Sequence, residues 1–385
     1  MKRYILNLLV FSAILSAQTS PNFVPHEPAI YWVDATNGDD NNAGTSEATA
    51  WKTVHKVFDQ SRFKQTAVDT VKVKAGTYDF ENEIYTNSSY DFVLIGVEGS
   101  SKTIFDAGGE NRHMTIDDGQ SNKTKIQGIT FQNGFTNYWP GGGSIYLTYG
   151  SDVQFIDCVW KNNSTIYNEG GGAVHIRDES TPTFTSCVFE GNYVKRVDGF
   201  PSSGDTNGGS SYGGAVRIVG ANNKTDLENA IIFKKTTFIN NYAHAKYSSY
   251  GGAIYSDRSL TVENCLFVKN YGLSHDGGIW QDAMGGAIYF DATRWNNNSY
   301  DGGTMLISNS TFHGNFLKVL SESYSNLHGA AISYGKHSQN AKTYIFNTVI
   351  TGSKILINDT NWDSNDSNQL KKYTIGAANE DNYKI

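Results

Sequence analysis

Apolar residues along this chain come in pairs two apart: Val153 and Phe155, Ile231 and Phe233, Leu260 and Val262, Met305 and Ile307. Such alternation is what a strand with one buried face requires. Three residues beyond each pair stands a small side chain, Cys158, Thr236, Cys265 or Ser310, and two further on an aromatic, Trp160, Phe238, Phe267 or Phe312. The step of three breaks the period of two, so the chain must turn a corner there. The residue before the small one is Asp157, Asn264, Asn309 or, in the last repeat, Asn347, types that tolerate left-handed backbone. A second corner follows each aromatic, where Asn163, Asn192, Asn241, Asn270 and Asn315 recur three residues later. Glycines then lead into a third apolar segment: GGSIYL at 142–147, GGAVHI at 171–176, GGAVRI at 213–218, GGAIYS at 251–256, GGAIYF at 285–290 and GAAISY at 329–334. Strand, corner, strand, corner, strand, turn: each repeat predicts one coil of a solenoid.

The aromatics fall at 131, 160, 189, 238, 267 and 312, and three of the five gaps are 29 residues. The longer gaps hold Gly/Ser/Asp/Asn-rich insertions such as RVDGFPSSGDTNGG at 196–209. Stacked coils absorb such insertions as outward loops. They also return one residue type to one slot, because equivalent positions on successive coils lie roughly 4.8 Å apart. The pattern predicts an all-β, single-stranded parallel β-helix. In these paired motifs the chain resembles the right-handed parallel β-helix proteins of the pectin-lyase-like superfamily. More narrowly, the coupled GGA-I/V and F-x-x-N motifs are similar to the repeats of chlamydial polymorphic outer-membrane proteins. Gly134 and Ile350 depart from that pattern, standing where Asn and Phe are expected.

WVDATNGDDNNAGTSEATAWKTVHKVF at 32–58, followed by VKVKAGTY at 71–78, is similar to the opening of many secreted bacterial β-helix proteins. That resemblance implies an amphipathic helix over Trp51–Phe63 capping the first coil, with Val54, Val57 and Phe58 on one face. Ahead of it, MKRYILNLLVFSAILSA at 1–17 reads as a secretory signal peptide cut before Gln18, with an uncleaved anchor as the rival. The expected organisation is a signal peptide at 1–17, an N-terminal segment and capping helix at 18–66, and the β-helix over 67–385. No cap is evident before Ile385, so a β-helix incomplete at its C-terminus is part of that expectation. No later segment is long and apolar enough to span a bilayer, so the expectation is a secreted protein or one attached to a bacterial outer surface.

The formal net charge is −7, and loss of Lys2 and Arg3 with the first 17 residues makes it −9. That acidity disfavours nucleic acid and anionic membranes as partners. The three cysteines share their slot with Thr236 and Ser310, so Cys158, Cys187 and Cys265 are expected as buried, unpaired thiols in one column.

Candidate chemistry is sparse. DATNGDDNNAGT at 34–45 offers Asp34, Asn37, Asp39, Asp40 and Asn41 as hard oxygen ligands for calcium, but Gly38 comes one place early for an EF-hand and the twelfth position is Thr45. A tight Asx-rich turn is the competing explanation. Lys195, Arg196, Asp198 and Asp205 in one insertion, and His275, Asp276 and Asp282 in another, are the groups a polysaccharide lyase or glycoside hydrolase would use. They match no lyase motif, and no catalytic residue is assigned. In the GGA segments, period two sends Tyr146, His175, Arg217, Tyr255 and Tyr289 outward as a ladder, beside loops carrying Trp139, Tyr212, Tyr250 and Trp280. These nine residues are the candidate ligand-binding set, since flat rings with polar tips suit sugars and protein partners alike. The function expected is an adhesin-like surface recognising a polysaccharide, a cell-surface glycan or a protein, with a carbohydrate-active enzyme as the alternative.

Overall fold

Each corner of the repeat is made by one left-handed residue. The computed structural model describes residues 27–58, 67–86, 90–167, 170–196, 209–220, 227–274, 282–291, 294–296, 299–301, 303–319, 326–335, 342–357, 375–376 and 383–384. Within it Asp157, Asn264, Asn309 and Asn347 have φ of 50°, 55°, 50° and 45°, and Ser186 and Lys235 join them at 57° and 51°. At the second corner the left-handed residue is Asn162, Gly191, Asn240, Lys269 or Gly314. This is the residue just before the recurring Asn, and it turns the Asn side chain inward.

Between corners the strands stack in parallel. One coil runs through Gln154–Ile156, Val159–Lys161, Ser164–Thr165 and Val174–Ile176. Their counterparts in other coils build sheets of eleven, nine, seven and nine strands respectively. The coil therefore has four strands, not the three that the pattern predicts. The extra one is the short segment just after the Asn corner, too brief to show a period. In four coils a fifth segment forms a further parallel sheet from Ser211–Tyr212, Ser249–Tyr250, Asp282–Met284 and Asn326–His328.

The core is a set of columns. Phe131, Trp160, Phe189, Phe238, Phe267 and Phe312 are in register and wholly buried. From Trp160 to Phe312 their rings stack at 4.5–4.8 Å and within 6° of parallel. Burying each such ring contributes about 1.5–3 kcal/mol. Cys158, Cys187 and Cys265 are buried free thiols, with Thr236 and Ser310 buried in the same slot, as expected. Thr236 shows why the slot takes any small donor: its hydroxyl bonds the carbonyls of Phe184 and Lys234, as the thiols bond theirs.

The Asn column is fully bonded. Asn163, Asn192, Asn241 and Asn270 each donate from Nδ2 to Oδ1 of the next Asn at 2.9–3.0 Å. The second amide hydrogen goes back to the aromatic's carbonyl one coil earlier, as from Asn192 to Trp160. The backbone N–H of Asn163 bonds the same Asn192 Oδ1. A buried amide is tolerable only when satisfied in this way.

The N-terminal cap starts later than expected. A helix is present at His55–Phe58; Val54 and Val57 are buried, and Phe58 meets Phe92 edge-on at 5.3 Å. Trp51 is outside the helix: it bridges to Val33 and stacks on Tyr31 at 5.2 Å, because the flat indole closes the first coil. Residues 59–63 of the expected helix, and the signal peptide at 1–17, lie outside the described residues. The strand Ile30–Val33 already pairs with Asp69–Val73, so the first sheet begins inside the N-terminal segment. Among the described residues no helix is long and apolar enough to cross a membrane.

Candidate functional site

The expected ladder exists in register, running Tyr146, His175, Arg217, Tyr255, Tyr289 on adjacent strands. Its accessibility differs from expectation. Tyr146, His175, Tyr255 and Tyr289 are at most 7% exposed, and Arg217 is half-buried. These side chains leave the central core but meet a second layer. The residue before each Gly-Gly pair, or before Gly329-Ala330 in the last of these coils, is Gly141, Gly170, Tyr212, Tyr250, Met284 and His328 in turn, linked by backbone bonds from each following glycine. The two glycines offer no cover. The later residues form a roof in which Tyr212 stacks on Tyr250 at 5.3 Å and meets Tyr255 edge-on, while Tyr250 leans on Tyr289 at 5.0 Å. Arg217 holds its guanidinium 4.7 Å from the Tyr212 ring. Tyr255 donates to Asp291 and Tyr250 to Asp282. Burial, with Asp291 nearby, pushes the Tyr255 and Tyr289 hydroxyls well up. Gly170 cannot carry a side chain: its φ is 75° and a Cβ would fall 2.0 Å from the Tyr212 carbonyl oxygen.

Where the roof is missing the surface opens into a cleft of about 810 Å³. Thr115, Tyr146 and Thr148 lie along it, and it is bounded by Tyr85, Tyr138, Trp139 and Tyr149. Tyr149 sits at a tight turn, with φ of 51° followed by Gly150 at 75°. Arg112, buried to 1%, pins the wall: Nε and Nη2 donate to the carbonyls of Gly142 and Gly141 at 2.8 and 2.6 Å, and Nη1 to Glu83 at 2.9 Å. The Glu83 carboxylate also accepts from Thr115, Tyr85 and Tyr138. Two of the four rings are thus fixed before any ligand arrives. A third, Trp139, has the Arg177 guanidinium 5.1 Å over its face. Thr148 donates to Asp178, which lies 3.7 Å from Arg177. The Asp117 carboxyl is raised from its ordinary value by burial and by the neighbouring Asp118 and Glu83.

At the boundary, His175 donates from Nδ1 to the Pro140 carbonyl. Burial, with Arg217 beside it, holds this imidazole neutral, well below its ordinary range. Beneath the cleft His113 is likewise neutral, brought down to about 4 mainly by burial, with Nε2 donating to Phe105 and Nδ1 accepting from Ser144.

Of the nine ladder and loop residues, Tyr146 and Trp139 reach the cleft. His175, Arg217, Tyr255, Tyr289, Tyr212 and Tyr250 belong to the roofed stretch, and Trp280 lies outside the described residues. Asp198, Asp205, His275 and Asp276 also lie outside them. Lys195 is exposed and Arg196 half-buried on the strand Tyr193–Arg196, away from the cleft lining. Asp34, Asp39 and Asp40 are engaged locally. Asp34 accepts from the amides of Thr36 and Asn37 and pairs with Lys74 at 3.1 Å; burial would raise its carboxyl, but these bonds bring it down to about 2. Asp39 accepts from Asn41, and Asp40 from Lys52 and Thr53. Among the described residues no group of three or more His, Cys, Asp or Glu is placed to hold a metal ion. Sequence reasoning missed Tyr85, Tyr138, Tyr149, Arg112, Asp117, Arg177 and Asp178. The available signal was the run YWPGGG at 138–143: exposed rings next to glycines where later coils carry Tyr212 and Tyr250.

Comparison with known proteins bears on the scaffold. None of the curated proteins matches the chain in sequence. Among solved structures it is similar to a rhamnogalacturonan lyase, 14% identical over 80% of this chain and 73% of that one, with a TM-score of 0.47. It is similar to the pectin methylesterase from Aspergillus niger, 11% identical over 87% and 88%, TM-score 0.43. It is also similar to a pectate lyase, 12% identical over 89% and 81%, TM-score 0.42. The family model described as the right handed beta helix region matches residues 116–295, and with the stacked parallel sheets it makes this chain a right-handed parallel β-helix.

Proposed function

We propose that the protein is an exported glycan-binding β-helix, adhesin-like in action, whose recognition site is the open cleft at the N-terminal end of the ladder. One observation carries the reading. Tyr85, Tyr138, Trp139 and Tyr149 are all exposed, and all four line this cleft. Exposed rings gathered around polar groups are the arrangement that receives a sugar, with apolar ring faces stacking and hydroxyls bonding to the surrounding side chains. The similarity of the repeats to those of polymorphic outer-membrane proteins, and the leader-like residues 1–17, support display outside the cell. Incubation of the purified protein with a panel of neutral and acidic polysaccharides, following retention as well as new reducing or unsaturated ends, tests the reading. Retention that falls on Trp139→Ala, without cleavage, is the expected result. Robust cleavage, or retention indifferent to Trp139 and Tyr149, overturns it.

A further inference from the structure

We infer that the cleft selects an uncharged, hydroxyl-rich glycan and excludes acidic ones. The inference rests on the glycan-binding reading and names the ligand class.

The charge balance comes first. Arg112 and Glu83 form a buried pair at 2.9 Å, with side chains 1% and 7% exposed, and the guanidinium also donates to the carbonyls of Gly142 and Gly141 and to the Thr115 hydroxyl. That cation is spent. A ligand then faces Arg177 against Asp117, Asp178 and Glu179. Arg177 already shares its charge with Asp178. A sugar carboxylate or sulfate entering here would meet three like charges for one shared cation, and like charges in a partly desolvated site repel.

The second observation is what the cleft leaves unsatisfied. Asp117 Oδ1 and Arg177 Nη1 are both buried atoms without a hydrogen-bond partner. A buried polar atom left unpaired is costly, so a ligand that satisfies it gains affinity. Asp117, Thr148 and Arg177 follow the strands Met114–Ile116, Ile145–Leu147 and Val174–Ile176 in three successive coils. Thr148 N–H bonds the Ile116 carbonyl, and Arg177 N–H that of Leu147. The backbone positions that carry this acceptor and this donor therefore stand two coil steps apart, about 9–10 Å. A hydroxyl both donates and accepts, so hydroxyls on one bound sugar chain can serve both atoms; a carboxylate can serve only the arginine. The elevated Asp117 carboxyl agrees: burial, Asp118 and Glu83 already disfavour its charge, and another anion would disfavour it further.

The test is calorimetric titration of the purified chain with neutral hexasaccharides (β-1,4-glucan, β-1,3-glucan, β-1,4-mannan, β-1,4-xylan) and with acidic ones (galacturonan, mannuronan, chondroitin sulfate), each at low and high salt. The expected result is binding to at least one neutral chain with little salt dependence, weakened tenfold or more by Asp117→Ala and by Arg177→Ala. Glu179→Gln removes one of the three like charges facing the ligand and should raise affinity for acidic chains. Binding confined to acidic chains and screened by salt overturns the inference and leaves the glycan-binding reading standing. Binding to neither class overturns both.

Discussion

The two halves of the ladder face present the same strand, in the same register, to different surroundings. Toward the N-terminus Thr115 and Tyr146 lie along an open cleft; toward the C-terminus Arg217, Tyr255 and Tyr289 lie beneath a second parallel sheet. The difference traces to the residue before each Gly-Gly pair: Gly141 and Gly170 at one end, Tyr212, Tyr250 and Met284 at the other. A repeat scaffold fixes where a side chain sits in the coil. What lies over that side chain, a cleft or a second sheet, is settled by a neighbouring column.

The comparison presumes one core beneath both halves, and that is the first thing to break. Phe267→Ala removes a ring stacked between Phe238 and Phe312 and should cost about 3–5 kcal/mol in denaturant unfolding. A near-neutral result would mean the inward register is wrong. Next is the roofed half alone. Tyr255→Ala together with Tyr289→Ala should cost about 3–4 kcal/mol, less than two separate losses because the rings touch each other. Glycan affinity should hold; its loss with the melting temperature unchanged would return recognition to the roofed ladder.

Acid should separate the halves. His113 has its imidazole lowered from 6.5 to about 4, so between those values the unfolded chain binds the extra proton and stability falls as pH falls, by about 3 kcal/mol in full. Asp257 in the roofed half is raised to about 7, by burial first and then Asp291, against the pull of Arg217 and Arg258. Between about 7 and its ordinary value the folded state holds the proton, so this half gains stability on acidification. Opening free energies from hydrogen exchange, corrected for the intrinsic slowing in acid, should fall from pH 7 to 5 at Ile145–Leu147 relative to Ile254–Ser256. An equal change in both would show that neither group governs its half. The smallest stability effect belongs to Trp139→Ala, 53% exposed in the wild-type protein: a melt within about 0.5 kcal/mol, with affinity down about tenfold.

The corners, the columns of Cys, Phe and Asn, and the ladder register were all legible in the sequence, because identical slots in stacked coils demand like residues. The fourth strand of each coil was not, since two to four residues hide any period. Nor was the roof. Tyr212 and Tyr250 read as loop aromatics beside the ladder, and only the stacking of one insertion on the next lays them over Tyr255 and Tyr289. The cleft escaped for the complementary reason. Tyr85 and Tyr149 lie 64 residues apart, and Glu83, which fixes Tyr85 and Tyr138, belongs to a coil before the repeats become regular.

The asparagine column has a consequence for how such a chain changes length. Every member shows the coil before it an acceptor and the coil after it a donor, with identical bonds across a 29-residue step and a 49-residue step. The seam between coils is therefore the same seam everywhere from Asn163 to Asn315. A duplicated or excised coil would meet its neighbours with every amide matched, and the chain can gain or lose length in whole turns without inventing a new contact. The column stops where Ser353 takes the place of Asn, a side chain too short to pass the bond on, so growth by copying is confined to the turns before it.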